Sequence, residues 1–463
     1  MVLPQSRRHT TQAIAAIAAI VLALVAGLPQ AGAVAQGYPA GWRARLQAGW
    51  SAPANLSTSG VDVEGGSIVV DSSGRVHVAW SAGESISHRY ASGGSWSSAQ
   101  RVSSGHSPDL AASTNGRIYL AFGASLSDGD DVYVATWQAS SGWSLPVNVS
   151  DNPATSSSPR LAIDVDGSLS LVWSEQDAFG AVIYLGRSSD GRVWSTSPLP
   201  NASGSRPVAV FAKPAELWVA WQDVFDLGFP TDVFVSHSTA SGWSLPEDVS
   251  ASPMADSQAP VLAATGDKVY LAWQEGASGL EAVYGAVATA SAWSAPEPLS
   301  SVGRAMAPSL ALDPVAGHLV WTTASTVQHA VSTLASGAWQ PAEDVALGQT
   351  EADQARLAVP GALHLVWLAE SSPGQHDLYY STASTASPTV TATATHTAAV
   401  TPTATATPSP SPTTPPTATD TPWPSVTASP SPTPSPTPTL GPPATPTRTM
   451  SPGWHVWLPV LQR

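Results

Sequence analysis

The sequence predicts an all-β protein: a seven-bladed β-propeller of four-stranded blades, with the N-terminal strand closing the last blade and a disordered Thr/Pro-rich tail behind it. Three observations predict this. A motif Trp-Ser-x-Pro-x-x-Leu-Ser recurs, a motif Leu-Ala-x-Asp-x-x-Gly-x-x-x-Leu-Val-Trp recurs, and the two series are offset by one strand.

The first series begins at Trp50 (WSAPANLS), Trp96, Trp143, Trp194, Trp243, Trp293 and Trp339, with spacings of 46 to 51 residues. The second series ends at Trp80, Phe122, Trp173, Trp221, Trp273, Trp321 and Trp367. A third segment lies between them, clearest as Asp131-Val132-Tyr133-Val134, Asp232-Val233-Phe234-Val235 and Asp377-Leu378-Tyr379-Tyr380. Each repeat therefore offers four short strands: Leu-Ala, Val-Trp, Asp-Val-Tyr and Trp-Ser. Clusters of Gly, Asn, Asp and Ser separate them. Apolar spacing of three and four, which helical repeats require, is missing. The Trp-Ser strand comes first in the chain, at Trp50, and the last repeat stops after its third strand, at Tyr380. Pairing the two ends closes a ring over 48–384 and removes an exposed sheet edge.

The ends carry different signals. Arg7, Arg8 and His9 precede an apolar run from Ala13 to Gly27, and small residues Ala31-Gly32-Ala33-Val34-Ala35 follow. That order is expected of a signal peptide over 1–35, so the protein is expected to be secreted or at the cell surface. The run is short for a membrane span, and membrane contact is expected only if this leader stays uncleaved. Residues 385–452 are almost entirely Thr, Pro, Ser and Ala, a composition for a disordered, extended stalk. Its hydroxyls suit O-glycans. A short apolar segment, 453–463, follows and reads either as a surface-attachment tag or as a terminus folded back on the domain.

Composition narrows the partners. The chain has 463 residues, no cysteine and a net charge of −15, with 19 Trp against 9 Tyr and 6 Phe. Flat side chains packed between sheets would account for the Trp excess. Without cysteine there is no disulfide, thiolate zinc site or Cys nucleophile. Residues 62–377 hold 32 of the 33 acids and 12 of the 18 bases, a local net charge of −20. Such a surface excludes nucleic acid and anionic membranes as partners. A monomeric propeller binding a glycan or an extracellular protein is expected.

The segment Ser188-Ser189-Asp190-Gly191-Arg192-Val193-Trp194 resembles an Asp-box turn, one residue short, and it sits between strands three and four. On this segment and the four-stranded repeat, the central 340 or so residues resemble the sialidase/BNR-repeat β-propeller superfamily. The Asp-box is a structural turn, so it speaks for fold and not for activity. The resemblance implies a carboxylate clamp of arginines, for which the candidates are Arg160, Arg206, Arg304 and Arg356 near strand one. Arg160 and Arg356 hold the same repeat position, directly before Leu-Ala. The family's Arg-Ile-Pro start is absent, and Tyr379 and Tyr380 read as sheet packing rather than as a nucleophile. A non-catalytic recognition module is therefore expected, with a sialidase-like glycoside hydrolase and a structural adhesion or surface-layer component as alternatives.

A second candidate site is a ring of acids after strand two: Glu84, Asp130, Glu175, Asp223, Glu275 and Glu370, with Asp128, Asp177 and Asp226 beside them. The crossovers add Asp62, Glu64, Asp151, Asp256, Glu351 and Asp353 on the same face. These acids form either an acidic bowl for cations, a basic partner or sugar hydroxyls, or a solvated rim. The loop from Gln222 to Asp232 adds Phe225, Leu227 and Phe229 as a contact site or a channel cover. His77, His318 and His364 recur at one repeat position, and blades spread round a ring cannot bring them to one ion. Asp128-Gly129-Asp130-Asp131 suggests a calcium loop but lacks its terminal Glu. No cofactor is expected, and calcium is the one metal the sequence leaves open.

Overall fold

The computed structural model describes residues 49–384, except 59, 127–128, 178–179, 225–229, 290–291, 335–336 and 346–351. The leader, the stalk, the apolar end segment, Asp128, Asp226, Glu351 and the aromatic loop residues Phe225, Leu227 and Phe229 lie outside the described residues.

Seven antiparallel sheets follow one another along the chain. Their first strands are Val63–Val70, His106–Ala112, Thr155–Ile163, Ser205–Lys213, Ser257–Thr265, Met306–Leu312 and Asp353–Ala358, which open blades 1 to 7. Neighbouring first strands lie against each other all the way round, blade 7 against blade 1 included, so they line the axis. Blade 7 takes its outer strand from the N-terminus: Ala54 and Asn55 pair with Tyr380 and Tyr379. The ring is a closed seven-bladed propeller, as the offset of the motifs predicts.

The aromatic that ends each Val-Trp motif holds neighbouring blades together. Trp80, Phe122, Trp173, Trp221, Trp273, Trp321 and Trp367 are each at most 1% exposed. Among the described residues there are seven apolar clusters, one per blade interface, and each contains one of these rings. Trp173, for example, packs among Tyr119, Ala121, Val132 and Val134 of blade 2. Burying 150–250 Å² per ring corresponds to about 4–6 kcal/mol of transfer free energy each, as an upper bound. Five of the seven also pair across the strand with an aromatic, as in Trp173 opposite Tyr184 with ring centroids 5.6 Å apart.

The outer strand differs from the simple expectation. In blades 1, 2, 4 and 5 it is two pieces, Gly142–Trp143 and Val147–Asn148 in blade 2. In blades 2, 4 and 5 the proline inside Trp-Ser-x-Pro falls between the two pieces and has no N–H for the ladder, while blade 1 splits at the same place without one. The two serines of the motif compensate. In blade 2, the third-strand N–H groups of Thr136 and Val132 donate to the hydroxyls of Ser144 and Ser150, both at 3.0 Å. Ser51 and Ser57, Ser244 and Ser250, and Ser294 and Ser300 do the same in blades 7, 4 and 5. The buried Asp at the start of strand three then clamps strand four. Asp377 accepts from Asn55 Nδ2 and Ser57 Oγ, both at 2.8 Å, and Asp131 accepts from Asn148 and Ser150 in the same way. The N-x-S triplets at Asn55 and Asn148 are thereby explained as strand clamps.

Candidate functional site in the central channel

Each first strand carries a bulge near its start. Ser107, Ser158, Arg206, Ala259, Ala307 and Gln354 occupy it in blades 2 to 7, with φ between 47° and 55°. Five of these six precede a proline. A side chain in the left-handed region is costly, and it persists here because the ring over-determines it. The N–H of Ala259 donates to Gln222 Oε1 of blade 4 at 2.9 Å, and that of Ala307 to Gln274 Oε1 of blade 5 at 3.3 Å. The unpaired edges of these two inner strands are thus served by the blade before each.

Two residues past the bulge, every blade has one residue opposite the position before the core aromatic. These are Ser67, Asp109, Arg160, Val208, Val261, Ser309 and Arg356. Three of them reach the next blade: Ser67, Asp109 and Ser309 accept the N–H groups of Leu110, Leu161 and Leu357 at 2.8–3.1 Å. The other charged members are arginines on strands that line the axis. Arg160 and Arg356 stand on blades 3 and 7, as far apart as a ring of seven allows. Even so, each lies close enough to Asp109 of blade 2 to act on its carboxyl.

The electrostatics of this trio are unusual. Burial pushes the Asp109 carboxyl above the ordinary carboxylate range, and Arg160, the Leu161 N–H and Arg356 oppose that shift. Burial lowers the Arg356 guanidinium to about 10, and the charge of Arg160 acts in the same direction. All three side chains are half-buried. Each guanidinium donates through one Nη1 to the carbonyl just before it, Pro159 at 2.8 Å and Ala355 at 3.0 Å. The two forked cations act on one carboxylate through space, without an ion pair to it among the described residues, and a guanidinium fork suits a bidentate anion.

The other candidates fall elsewhere. Arg206 and Arg304 are exposed, with φ of 50° and 55°, and nothing in the described structure joins them to the channel pair. Asp109 escaped the sequence reasoning, although it holds the same repeat position as Arg160 and Arg356. Of the acidic ring, Glu175 is buried, and its Oε2 accepts from the Trp173 indole and from Ser156 Oγ at 3.0 Å. Glu275 Oε2 accepts from the Trp273 indole at 2.9 Å and from Ser257 at 3.3 Å. Asp130 meets His106 at 3.3 Å, Asp223 accepts from Ser203, and Glu370 accepts the Gly374 N–H at 2.8 Å. Glu84 is exposed. Asp62 holds the His376 N–H at 2.6 Å, and Asp256 the Thr231 N–H at 2.9 Å. Most of the ring is therefore engaged in fixing strands and loops.

The histidines stay in separate blades. His77 bridges Asp71 and His88 at 3.3 and 3.1 Å in blade 1, and His318 bridges Asp313 and His329 at 3.2 Å each in blade 6. His364 pairs with Tyr380 Oη at 2.8 Å in blade 7. Among the described residues, no three His, Asp or Glu side chains are grouped to hold a metal ion. The turn at Ser188–Trp194 closes on itself. Asp190 Oδ1 accepts the N–H groups of Arg192 and Val193 at 2.8 and 3.0 Å, and the Trp194 indole donates to Gly191 O at 3.2 Å.

No protein-family model and no curated protein sequence matches the chain. Among solved structures, a protein of unknown function from Dyadobacter fermentans is similar at 12% identity and a TM-score of 0.48, covering 73% of this chain and 99% of that one. A catalytically inactive virginiamycin B lyase from Staphylococcus aureus is similar at 12% identity and a TM-score of 0.48, covering 72% and 99%. An α-L-arabinanase from Penicillium chrysogenum, complexed with arabinobiose, is similar at 13% identity and a TM-score of 0.47, covering 60% and 92%. None of the three decides what this chain binds.

Proposed function

We propose that this chain is a secreted or cell-surface recognition module that binds an acidic glycan at its central channel. One observation carries the reading: the charges of Arg160 and Arg356 both act on one carboxylate, Asp109, inside a ring that is otherwise strongly acidic. A sugar carboxylate or sulfate bridging both guanidiniums would relieve their mutual repulsion. The leader-like segment over 1–35 supports export, and the Thr/Pro-rich 385–452 supports display on a stalk. The near-complete Asp-box at Ser188–Trp194 supports kinship with the sialidase/BNR-repeat propellers.

Titration calorimetry with sialylated, uronate-bearing and sulfated oligosaccharides tests this. Binding is expected to weaken at least tenfold in Arg160→Ala and in Arg356→Ala, with both variants melting as the parent does. Equal affinity in parent and variants sinks the reading. The raised Asp109 carboxyl favours a second reading, an acid catalyst in a sialidase-like hydrolase. Turnover of a fluorogenic sialoside, lost in Asp109→Asn, would put that reading first.

A further inference from the structure

Three large apolar side chains stand in solvent on successive loops around blade 5. Met254 is 89% exposed on the crossover from blade 4, Leu280 62% between strands two and three of blade 5, and Val302 67% on the crossover to blade 6. A single exposed apolar side chain is ordinary, but a group of them on adjoining loops marks a contact surface.

Backbone hydrogen bonds stitch these loops together. The Gly276 N–H donates to Asp256 O at 3.0 Å, which ties the Met254 crossover to the Leu280 loop. The N–H groups of Gly303 and Ala305 donate to Glu281 O at 3.1 and 3.0 Å, which ties the Leu280 loop to the Val302 crossover. The loops are also held from below. The Leu280 N–H donates to Ala277 O at 2.9 Å, and the buried Glu281 carboxylate accepts the Gly279 N–H with both oxygens at 3.0 Å. The Met254 crossover is pinned where the Ala251 and Ser252 N–H groups donate to Asp248 Oδ1 at 2.8 Å and Asp232 Oδ1 at 3.2 Å. Apolar side chains presented on loops fixed in this way lose little further ordering entropy when a partner covers them.

The surrounding charge narrows the partner. Asp248 and Asp256 are exposed and Glu275 is half-buried on the Met254 flank, and among the described residues none of the three forms an ion pair. Burial raises the neighbouring Asp232 carboxyl, and the charges of Asp248 and Glu275 add to that shift, against the Ser252 N–H and the Ser250 hydroxyl. On the opposite flank Arg304 is exposed beside Val302. An anionic membrane or a second copy of this chain would meet the balance of −20 over 62–377 and be repelled. A basic segment with apolar side chains matches both the ridge and its acidic flank.

We propose that the ridge of Met254, Leu280 and Val302 docks a basic, apolar segment of a partner protein, with its Lys or Arg side chains paired to Asp248 and Asp256. The proposal does not rest on the channel reading. Fluorescence anisotropy of the full chain with a labelled peptide of Lys-Leu repeats tests it, beside peptides of Glu-Leu and Lys-Ser repeats. The Lys-Leu peptide is expected to bind saturably, and the other two about tenfold more weakly or worse. Met254→Ser/Leu280→Ser/Val302→Ser removes the ridge and leaves every charge, and it should lose about tenfold. Asp248→Asn/Asp256→Asn removes the charge while the amide oxygens still accept the loop N–H groups, and it should lose about as much. Met254→Ser alone alters one open side chain, guards against a folding defect in the triple variant, and should show a smaller loss in the same direction. Absence of saturable binding, equal binding of the Lys-Leu and Lys-Ser peptides, or parental affinity in the serine variants overturns the proposal. The ridge is probed with cationic peptides and the channel with anionic sugars, so the two readings fail separately.

Discussion

The Trp273 indole donates to Glu275 at 2.9 Å, whereas the Nε1 atoms of Trp221, Trp321 and Trp367 have no partner among the described residues. The difference is local chemistry. Residues two apart on a strand share a face, so a Glu two positions after the ring can reach back to its N–H. Blades 3 and 5 read Trp-x-Glu. Blade 4 reads Trp-x-Asp, one methylene shorter, and blades 6 and 7 have Thr323 and Ala369 there. Glu275→Ala should therefore cost about 1–3 kcal/mol by stripping the acceptor from a buried indole. The same truncation at the exposed Glu84 should cost less than about 0.5 kcal/mol. Urea midpoints of the two variants check this, and equal midpoints would count against it. The two roles were distinguishable in the sequence, because the i, i+2 spacing from Trp to Glu separates a strand lock from a rim charge. Reading the six acids as one class by loop position missed that.

At the scale of the element, blades 1 and 6 share one device: an Asp, then two stacked histidines, then a Trp from the outer strand of the next blade. The Trp143 indole donates to His88 Nδ1 at 3.2 Å, and Trp50 meets His329 edge-on with centroids 5.8 Å apart. Burial lowers His88 and His329 to about 3, each helped by its neighbouring histidine, and lowers His77 to about 4. Burial also lowers His318 and His364. An unfolded histidine takes a proton near pH 6.5 while the folded one stays neutral. Stability is therefore full above that pH and falls as the pH drops toward 4, by about 1.4 kcal/mol per pH unit for each such histidine. Asp71 and Asp313 are held below the ordinary value of 3.8, against the opposing effect of burial, by neighbouring N–H donors and by Ser73, Arg75 and His318. Their contribution is lost only below that value. Chemical denaturation between pH 7 and pH 4 should show the fall, and His88→Gln/His329→Gln should flatten it. A stability constant across that window would contradict the assignment. The blades themselves were legible, since each strand carries its own motif within about 50 residues. The histidine pairs were half legible: His77 and His318 stand at a repeat position, but their partners show only once strands two and three are in register.

For the whole molecule, the balance of −20 over 62–377 sets the approach of any ligand. An anion bound for Arg160 and Arg356 meets a repulsive body before it reaches the channel. Screening by salt should then speed association, the reverse of the usual trend for charge-paired complexes. Stopped-flow rates for an acidic oligosaccharide are expected to rise between 10 and 150 mM salt. A falling rate for the acidic ligand would place its site away from the channel. The channel trio could not be assembled from sequence, because Asp109, Arg160 and Arg356 come from three blades and only ring closure brings their charges to bear on one another. Closure in turn hangs on contacts such as Asn55 to Asp377, 322 residues apart. At 5–20 residues per second, a ribosome takes roughly 20–60 s to make the second half of that pair after the first. Throughout that interval the earliest strand has no partner and the latest blade does not exist. The molecule thus has a built-in waiting time, during which six blades can form and none of them can finish the circle.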